Sequence, residues 1–476
     1  MIDRRELMDL VRELGLRANV VEKDYVLGWL LAGISNHPAL SPSWVFKGGT
    51  CLKKCYFETY RFSEDLDFTL TDPKHLDQEF LVSTFHELAG WVYEEAGIEC
   101  PVDTIRFEVY ENPRGGVSAT GKIGYRGPLQ NRGDPPRVKF DLTIDEVLVL
   151  APVPRRVHHP YSDLPAGGIE VVSYRFEEVF AEKVRALAER MRPRDLYDVI
   201  HLYRHDDMRP DRPLVLDTLG RKCAFKGIPV PTAEALRDRP ERAELEAEWA
   251  NMLAHQLPEL PPFEQFWEEL PAVFAWLHAA AEKLVPAPMP VGQGEDATWQ
   301  PPVMAQTWHA AVPLEIIRFA AANRLCVDLG YQGRQRVIEP YSLRRTQDGN
   351  LLLHAVHHES GAPRAYRVDR IESAKATQIP FTPRYAVELT ASGPVSAPPA
   401  ARGGSVTAGA GVRPSQLRSA RRSGRSMSSG PRYVIECPFC GKKFERKNPR
   451  PRLNPHKDKH GYPCAGRSGY LVDTKY

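Results

Sequence analysis

A short apolar run, WVFK at residues 44–47, stops at Gly48, Gly49 and Thr50, and a second run, DLDFTL, opens at Asp65. Adjacent glycines let the backbone turn sharply and approach a neighbour closely, and the CLKKCYF segment after them reads as an amphipathic helix. The unit is therefore strand, turn, helix and strand. It constrains the fold more than any other feature, because it sets a turn of bare amides against two acidic side chains. If residues 65–68 are extended, Asp65 and Asp67 share one face, since side chains alternate with period two.

Two carboxylates side by side repel, so the pair calls for a cation. Magnesium takes oxygen ligands and couples one or two carboxylates to substrate phosphates, which makes Asp65 and Asp67 a candidate magnesium clamp. VKFDLTI offers a third acid: Val138, Phe140 and Leu142 would face the core while Lys139, Asp141 and Thr143 share the opposite face. With that strand beside residues 65–68, Asp141 completes the clamp and can take the proton of an attacking hydroxyl. The amides of Gly48 and Gly49 and the Thr50 hydroxyl would hold triphosphate oxygens. A lone Asp-X-Asp would be only a solvated strand edge; the glycine turn ahead of it favours the clamp.

The wider pattern mixes both element types. LDQEFLVSTFHELAGWVYEEAG (76–97) reads as a helix, and TIRFEVYE, ATGKIGYRG and PRVKFDLTID read as strands, so the opening region is α/β or α+β. From residue 176 the pattern turns helical. FEEVFAEKVRALAERM carries an apolar stripe at Val179, Phe180, Val184, Leu187 and Met191, RDLYDVIHLYR starts a second helix after Pro193, and helical segments run on to residue 285.

On these residues the chain resembles nucleotidyltransferases. GGT followed by RFSEDLDF is similar to the Gly-Gly-Ser/Thr and Asp-X-Asp of that superfamily, and more closely to its AbiEii/AbiGii toxin family. VVEKDYVLGWLL (20–31) and EEVFAEKVRALAERMRPRDLYDVIHL (177–202) extend the likeness across residues 15–280. The resemblance implies that Lys183 contacts nucleotide phosphates, with Ser63, Arg190 and Arg194 beside Gly48, Gly49 and Thr50, and that Asp195 or Asp198 completes the active site. Lys183 and Arg190 are seven apart and fall on one helix face. Arg194 and Asp198, four apart, could equally form a surface ion pair. Glu22, Lys23 and Asp24 match the family too and read as structural support. The implied chemistry is in-line attack of an acceptor hydroxyl on the α-phosphate of a nucleoside triphosphate, with loss of pyrophosphate. The implied setting is a toxin of a toxin–antitoxin or phage-defence system, acting on RNA such as the 3′ end of a tRNA, with a cognate antitoxin as partner.

Further along, residues 334–374 resemble a WYL-type domain, a small barrel-like ligand-sensing module, with Leu351–Leu353 standing where the eponymous Trp-Tyr-Leu would be. A helix over PLEIIRFAAANR precedes it. Arg364, Arg367 and Arg370 sit three apart; in a strand only Arg364 and Arg370 would share a face, for nucleic acid or as plain charged surface. His354, His357 and His358 lack a matching carboxylate or thiol and read as exposed.

The last segment holds Cys437-X-X-Cys440, with Phe444 four residues on and Leu453 three residues before His456. That layout looks like a zinc finger, and so few apolar residues fold only around a metal. Cys437, Cys440, His456 and Cys464 are the expected zinc ligands, with His460 as the alternative. Lys442, Lys443, Arg446, Lys447, Arg450 and Arg452 crowd the loop between them, a composition suited to phosphate contact.

Charge divides the chain. Residues 391–476 carry 17 Lys and Arg against 4 Asp and Glu, which leaves 46 against 57 in the rest. A basic tail on an acidic body suits nucleic acid as a partner. Residues 391–432 have no acidic or aromatic side chain and read as disordered. The expected organisation is a nucleotidyltransferase core (1–175), a helical domain completing the site (176–285), a Pro-rich linker (286–307), a WYL-like domain (308–390), an Arg-rich linker (391–432) and a zinc-finger-like module (433–476). No apolar run is long enough to span a membrane, and only the last three cysteines cluster, so a cytoplasmic protein with reduced thiols is expected. Two other readings stay open: transfer to a small-molecule or protein hydroxyl, and a non-enzymatic nucleic-acid-binding regulator.

Overall fold

The computed structural model describes residues 1–111, 115–131, 133–205, 208, 210–280, 282–283, 285–296, 314–389, 432–437, 440, 442–446, 453, 456–457, 463–464 and 470–475. The chain divides into two compact units, Met1–Gly403 and Gly404–Tyr476.

The first unit opens with α1 (Arg4–Leu14) and α2 (Ala18–Asn36). Asp3 accepts the Glu6 amide at 2.7 Å and so satisfies a donor that the start of α1 leaves unpaired. α2 is apolar on almost every side and buried from Val20 to Ile34 apart from Lys23, as a helix lacking a polar face must be.

Seven strands form one mixed sheet: β1 (Trp44–Lys47), β2 (Asp65–Leu70), β3 (Arg106–Glu111), β4 (Val117–Gly124), β5 (Arg137–Thr143), β6 (Val153–Arg156) and β7 (Glu170–Ser173), in the order β3-β4-β5-β2-β1-β7-β6. β2 runs parallel to β5 and β1 parallel to β7; the other neighbours are antiparallel. Between β1 and β2 lie α3 (Gly48–Cys51) and a π-helical turn, Leu52–Tyr56. α4 (Gln78–Ala96) leads from β2 towards β3, capped by Asp77.

The CLKKCYF segment differs from the expected amphipathic surface helix. Lys53 and Lys54 are both buried; Lys54 Nζ lies 2.7 Å from Asp24 on α2, and Lys53 packs 4.7 Å over the Phe62 ring. The counter-charge for Lys54 comes from thirty residues upstream, beyond the reach of any local periodicity.

The helical part comprises α5 (Phe176–Arg190), α6 (Pro193–Arg204), α7 (Arg212–Lys226), α8 (Ala233–Arg237), α9 (Arg242–Ala247), α10 (Trp249–Leu253), α11 (Phe263–Trp267) and α12 (Leu270–Leu277). α5 ends at Met191, held at φ +45°, and Pro193 starts α6 two residues later. A left-handed residue that is not glycine costs about 1–2 kcal/mol, and here it folds α6 back onto α5.

α13 (Leu314–Ala322) precedes a five-stranded antiparallel sheet of β8 (Leu325–Tyr331), β9 (Arg334–Arg345), β10 (Leu351–His357), β11 (Pro363–Arg367) and β12 (Ile371–Pro380), ordered β11-β10-β9-β8-β12. Tyr331 of β8 meets Tyr366 of β11 at a ring separation of 5.2 Å, so this sheet is strongly curled. Its core is continuous with that of the seven-stranded sheet and its helices. Three expectations change here. β11 ends at Arg367 and Val368–Arg370 form a 3-10 turn, so Arg364 and Arg370 do not share a strand face. His354 is buried against Glu295 at 2.7 Å rather than exposed. Residues 287–296 of the expected linker lie along the sheet, with the Asp296 amide donating to Arg345 O and the Ala386 amide to Ala287 O.

The second unit contains β13 (Arg432–Glu436), β14 (Lys443–Arg446), β15 (His456–Lys457), β16 (Pro463–Cys464) and β17 (Tyr470–Lys475), with β14-β13-β17 as one sheet and β15-β16 as a hairpin. Ile435 and Leu453 lie in its small core cluster, with Phe444 packed against it, and Val434 is buried as well. Residues 391–431 of the Arg-rich linker fall outside the described residues, as do His460, Lys447, Arg450 and Arg452. Among the described residues no helix is long and apolar enough to cross a membrane.

Candidate functional site

The site grows from the register of β2. Val138, Phe140 and Leu142 turn into the core, as alternation requires, and leave Lys139, Asp141 and Thr143 on the other face. Asp65 pairs with Lys139 and Asp67 with Asp141 across the parallel β2–β5 ladder, so three carboxylates come together. Lys47 stands opposite Asp67 on β1.

Gly48 places the turn against this group. Its φ of +82° is one that L side chains rarely adopt, and a β-carbon there would collide with the Asp67 carboxylate. The close approach of that acid to the turn thus requires glycine. A β-carbon on Gly49 would lie 3.1 Å from Ser63 Oγ, so Ser63 borders the turn as well. The turn runs into α3, and the first amides of a helix have no acceptor within it, which makes them candidates for an anion. The Thr50 hydroxyl donates to Asp65 O, which fastens the turn to β2.

Charge at the three acids is out of balance. Burial pushes Asp67 up to about 6, and Asp141 and Asp65 add to the rise against Lys47 and Lys183. Burial and Asp141 also raise Asp65, opposed by Lys139. Lys139 Nζ donates to Asp141 Oδ2 at 2.6 Å. Three carboxylates brought together, with Asp65 and Asp67 held back from ionising, are a donor set that a hard divalent cation such as magnesium relieves.

Cations line the other side. Lys183 on α5 lies 2.8 Å from Asp198 Oδ2, and Asp198 also binds Arg61 through both oxygens. Burial would raise the Asp198 pKa, but Arg61 and Lys183 hold it well below the usual carboxylate range. Arg190 is gripped by Asp195 through two bonds of 2.7 and 2.8 Å. Asp195 and Asp198 are thus both fully buried behind cations, and Asp198 does not form the surface pair with Arg194 that its spacing allows. Arg194 Nε is buried without a hydrogen-bond partner, and burial together with Arg61 disfavours its charged form. An anion nearby would offset both.

Upstream, Lys23 bonds Glu64 at 2.9 Å, Glu22 accepts the Leu129 amide and Asp24 anchors Lys54. Sequence reasoning missed Lys47, Tyr60 and Arg61. Lys47 directly precedes the glycines and Arg61 lies within RFSED, but only the tertiary fold reveals their partners.

In the second unit, the ligand atoms of Cys437, Cys440, His456 and Cys464 all lie within 4.8 Å of one another. Cys437 and Cys464 sulfurs are 3.7 Å apart, close to the roughly 3.8 Å edge of a tetrahedron with bonds of about 2.3 Å to zinc. Cys440 Sγ is 3.4 Å from His456 Nε2, and Phe444 packs edge-on against the His456 ring. Three soft sulfurs and one imidazole fit zinc.

Comparison with known proteins adds to this geometry. The sequence model of a family described as the nucleotidyl transferase AbiEii toxin of type IV toxin–antitoxin systems matches residues 29–272, just over half of the chain. A WYL domain model matches residues 313–376. Among solved structures the chain is similar to MenT4, a nucleotidyltransferase toxin from Mycobacterium tuberculosis H37Rv, at 20% identity over 58% of this chain and 90% of that one, with a TM-score of 0.40. It is similar also to JHP933 from Helicobacter pylori, at 16% identity over 56% of this chain and 94% of that one, with a TM-score of 0.36. A comparison with curated proteins gives no match.

Proposed function

The chain belongs to the AbiEii nucleotidyltransferase toxin family, and from that premise we propose that it transfers a nucleoside monophosphate from a nucleoside triphosphate to a hydroxyl of RNA. The observation that carries this reading is the seating of Asp67 against the Gly48 turn with Asp141 directly across the ladder.

Asp65, Asp67 and Asp141 would hold magnesium. When bound, the ion supplies charge neutralisation at the triphosphate. The remaining work falls to the chain. The α3 amides and Ser63 cradle phosphate oxygens, and Lys183, Arg190 and Arg194 face the charge that develops on the leaving pyrophosphate. Asp141 takes the proton of the acceptor hydroxyl as its oxygen bonds to the α-phosphorus and the bond from that phosphorus to the β-phosphate bridge breaks. Asp195 and Asp198 act behind Arg190 and Lys183 rather than on the nucleotide. Thr50 holds the turn in place.

RNA as acceptor is supported by the basic end of the chain, with 17 Lys and Arg against 4 acids over residues 391–476. A zinc-bound tail and a WYL domain are further devices for meeting nucleic acid, and the family's type IV systems supply an antitoxin partner. A small-molecule acceptor would make no use of that tail.

Purified protein, magnesium, each labelled triphosphate and total RNA provide the test. Label in RNA that disappears with Asp65→Ala or Asp67→Ala supports the reading. Label on small molecules or protein moves the acceptor, and transfer that persists in both variants removes the assigned site.

A further inference from the structure

Between the glycine turn and β2 the chain buries a guanidinium that the transfer chemistry itself does not call for. Arg61 is only 2% exposed, and separate parts of the fold converge on it. Its Nε and Nη2 donate to the two Asp198 oxygens at 2.6 and 2.8 Å, and Nη1 donates to Gln256 Oε1 at 3.0 Å. Nη2 also lies 2.5 Å from the place of a β-carbon on Gly49, so the guanidinium rests directly against the turn. Asp198 is shared: Lys183 Nζ reaches Oδ2 at 2.8 Å and the Tyr60 hydroxyl donates to Oδ1.

Charge and geometry decide what Arg61 does. One carboxylate meets two cations, so the group carries a surplus positive charge. Without Arg61, Asp198 and Lys183 would form a one-to-one buried pair, and the lysine would have to give up its counter-ion to meet a phosphate. With Arg61 in place both carboxylate oxygens are engaged by a planar fork that lysine cannot reproduce. Lys183 is then anchored at one oxygen of Asp198, at 2.8 Å.

Resting on the nucleotidyltransferase reading above, we propose that Arg61 is a positioning residue: through Asp198 it fixes Lys183 beside the glycine turn and leaves the ammonium charge available to the triphosphate. Tyr60 serves the same end by closing the second Asp198 oxygen. The stretch separating the Gly-Gly-Thr turn from the Asp-X-Asp strand is thereby part of the nucleotide-holding apparatus.

The test uses the full chain, with binding of each of the four nucleoside triphosphates in magnesium measured by calorimetry, and KM and kcat for transfer measured alongside. Arg61→Lys keeps the charge but loses the fork; Kd and KM should rise by roughly tenfold, and kcat should fall as well because Lys183 also meets the charge on the leaving pyrophosphate. Arg61→Met should be worse than Arg61→Lys in the same direction. A scaffold role would weaken binding whether or not Lys183 is present, whereas in a Lys183→Ala background Arg61→Lys should add less than about twofold. If thermal unfolding shows that the Arg61 variants do not fold, Tyr60→Phe takes their place, with a rise of about threefold that again vanishes without Lys183. Equal affinities for wild type and variants, or the same loss with and without Lys183, overturn the proposal while leaving the enzymatic reading intact. A wild-type chain that binds no triphosphate overturns both.

Discussion

Asp67 and Asp198 lie near the same lysine, and their surroundings make opposite demands. Asp67 is partly buried among like charges and is pushed up to about 6, so it gains from an added cation. Asp198 is fully buried with two cations and a hydroxyl on it and is held low. Removing a partner from a buried ion pair costs about 3–5 kcal/mol because the remaining charge is stranded. Asp198→Ala should therefore lower stability by about that amount in urea unfolding. Asp67→Asn relieves repulsion instead, so its stability should stay within about 0.5 kcal/mol of wild type or rise, while transfer falls by at least about a thousandfold. Equal destabilisation by the two variants would contradict this division of labour.

At the level of elements, the turn from β1 into α3 and the seat of α13 each carry a prediction. Gly48→Ala forces a side chain into a left-handed position and into the Asp67 carboxylate. Transfer should be lost, and stability should drop by about 1–2 kcal/mol for the backbone strain alone; retained transfer would mean that Asp67 need not touch the turn. At the other junction, Glu13 of α1 faces Glu315 of α13, in a cavity also lined by Lys53, Glu58, His158 and Asp24. Burial, then Glu315 and Asp9, raise Glu13 to about 8. Between its ordinary value and that one, the folded chain keeps the proton and the unfolded chain has lost it, so stability falls as pH rises through the interval and levels off above it. Glu13→Gln should match wild type in melting temperature at pH 5 and exceed it at pH 8; no difference at pH 8 would argue against the buried proton. Such junctions also mark where the sequence stops being legible. Period-two alternation places Asp65, Asp67 and Asp141 on their strands, and the helical stripe finds α5, because both signals are local. Lys54 meeting Asp24, Arg61 meeting Asp198 and Glu295 meeting His354 are contacts over 30 to 137 residues, and no local pattern encodes them.

At the scale of the whole molecule, catalytic half and WYL domain share one continuous core, and the cysteine-bearing tail is a separate unit. Cys437→Ser should abolish bound zinc by elemental analysis and weaken salt-sensitive RNA binding, while turnover on a short acceptor stays within about threefold of wild type. Loss of turnover on the short acceptor would instead tie the tail to the active site. On the function proposed above, acids on β2 and β5, seated against a glycine turn, capture a divalent ion together with a triphosphate. Manganese titration followed by electron paramagnetic resonance, with a non-hydrolysable triphosphate analogue present or absent, tests it directly. Manganese should bind tightly only with the analogue present, and that binding should be lost in Asp67→Asn but kept in Cys437→Ser. Manganese bound equally well by Asp67→Asn, or bound without regard to the triphosphate, would contradict it.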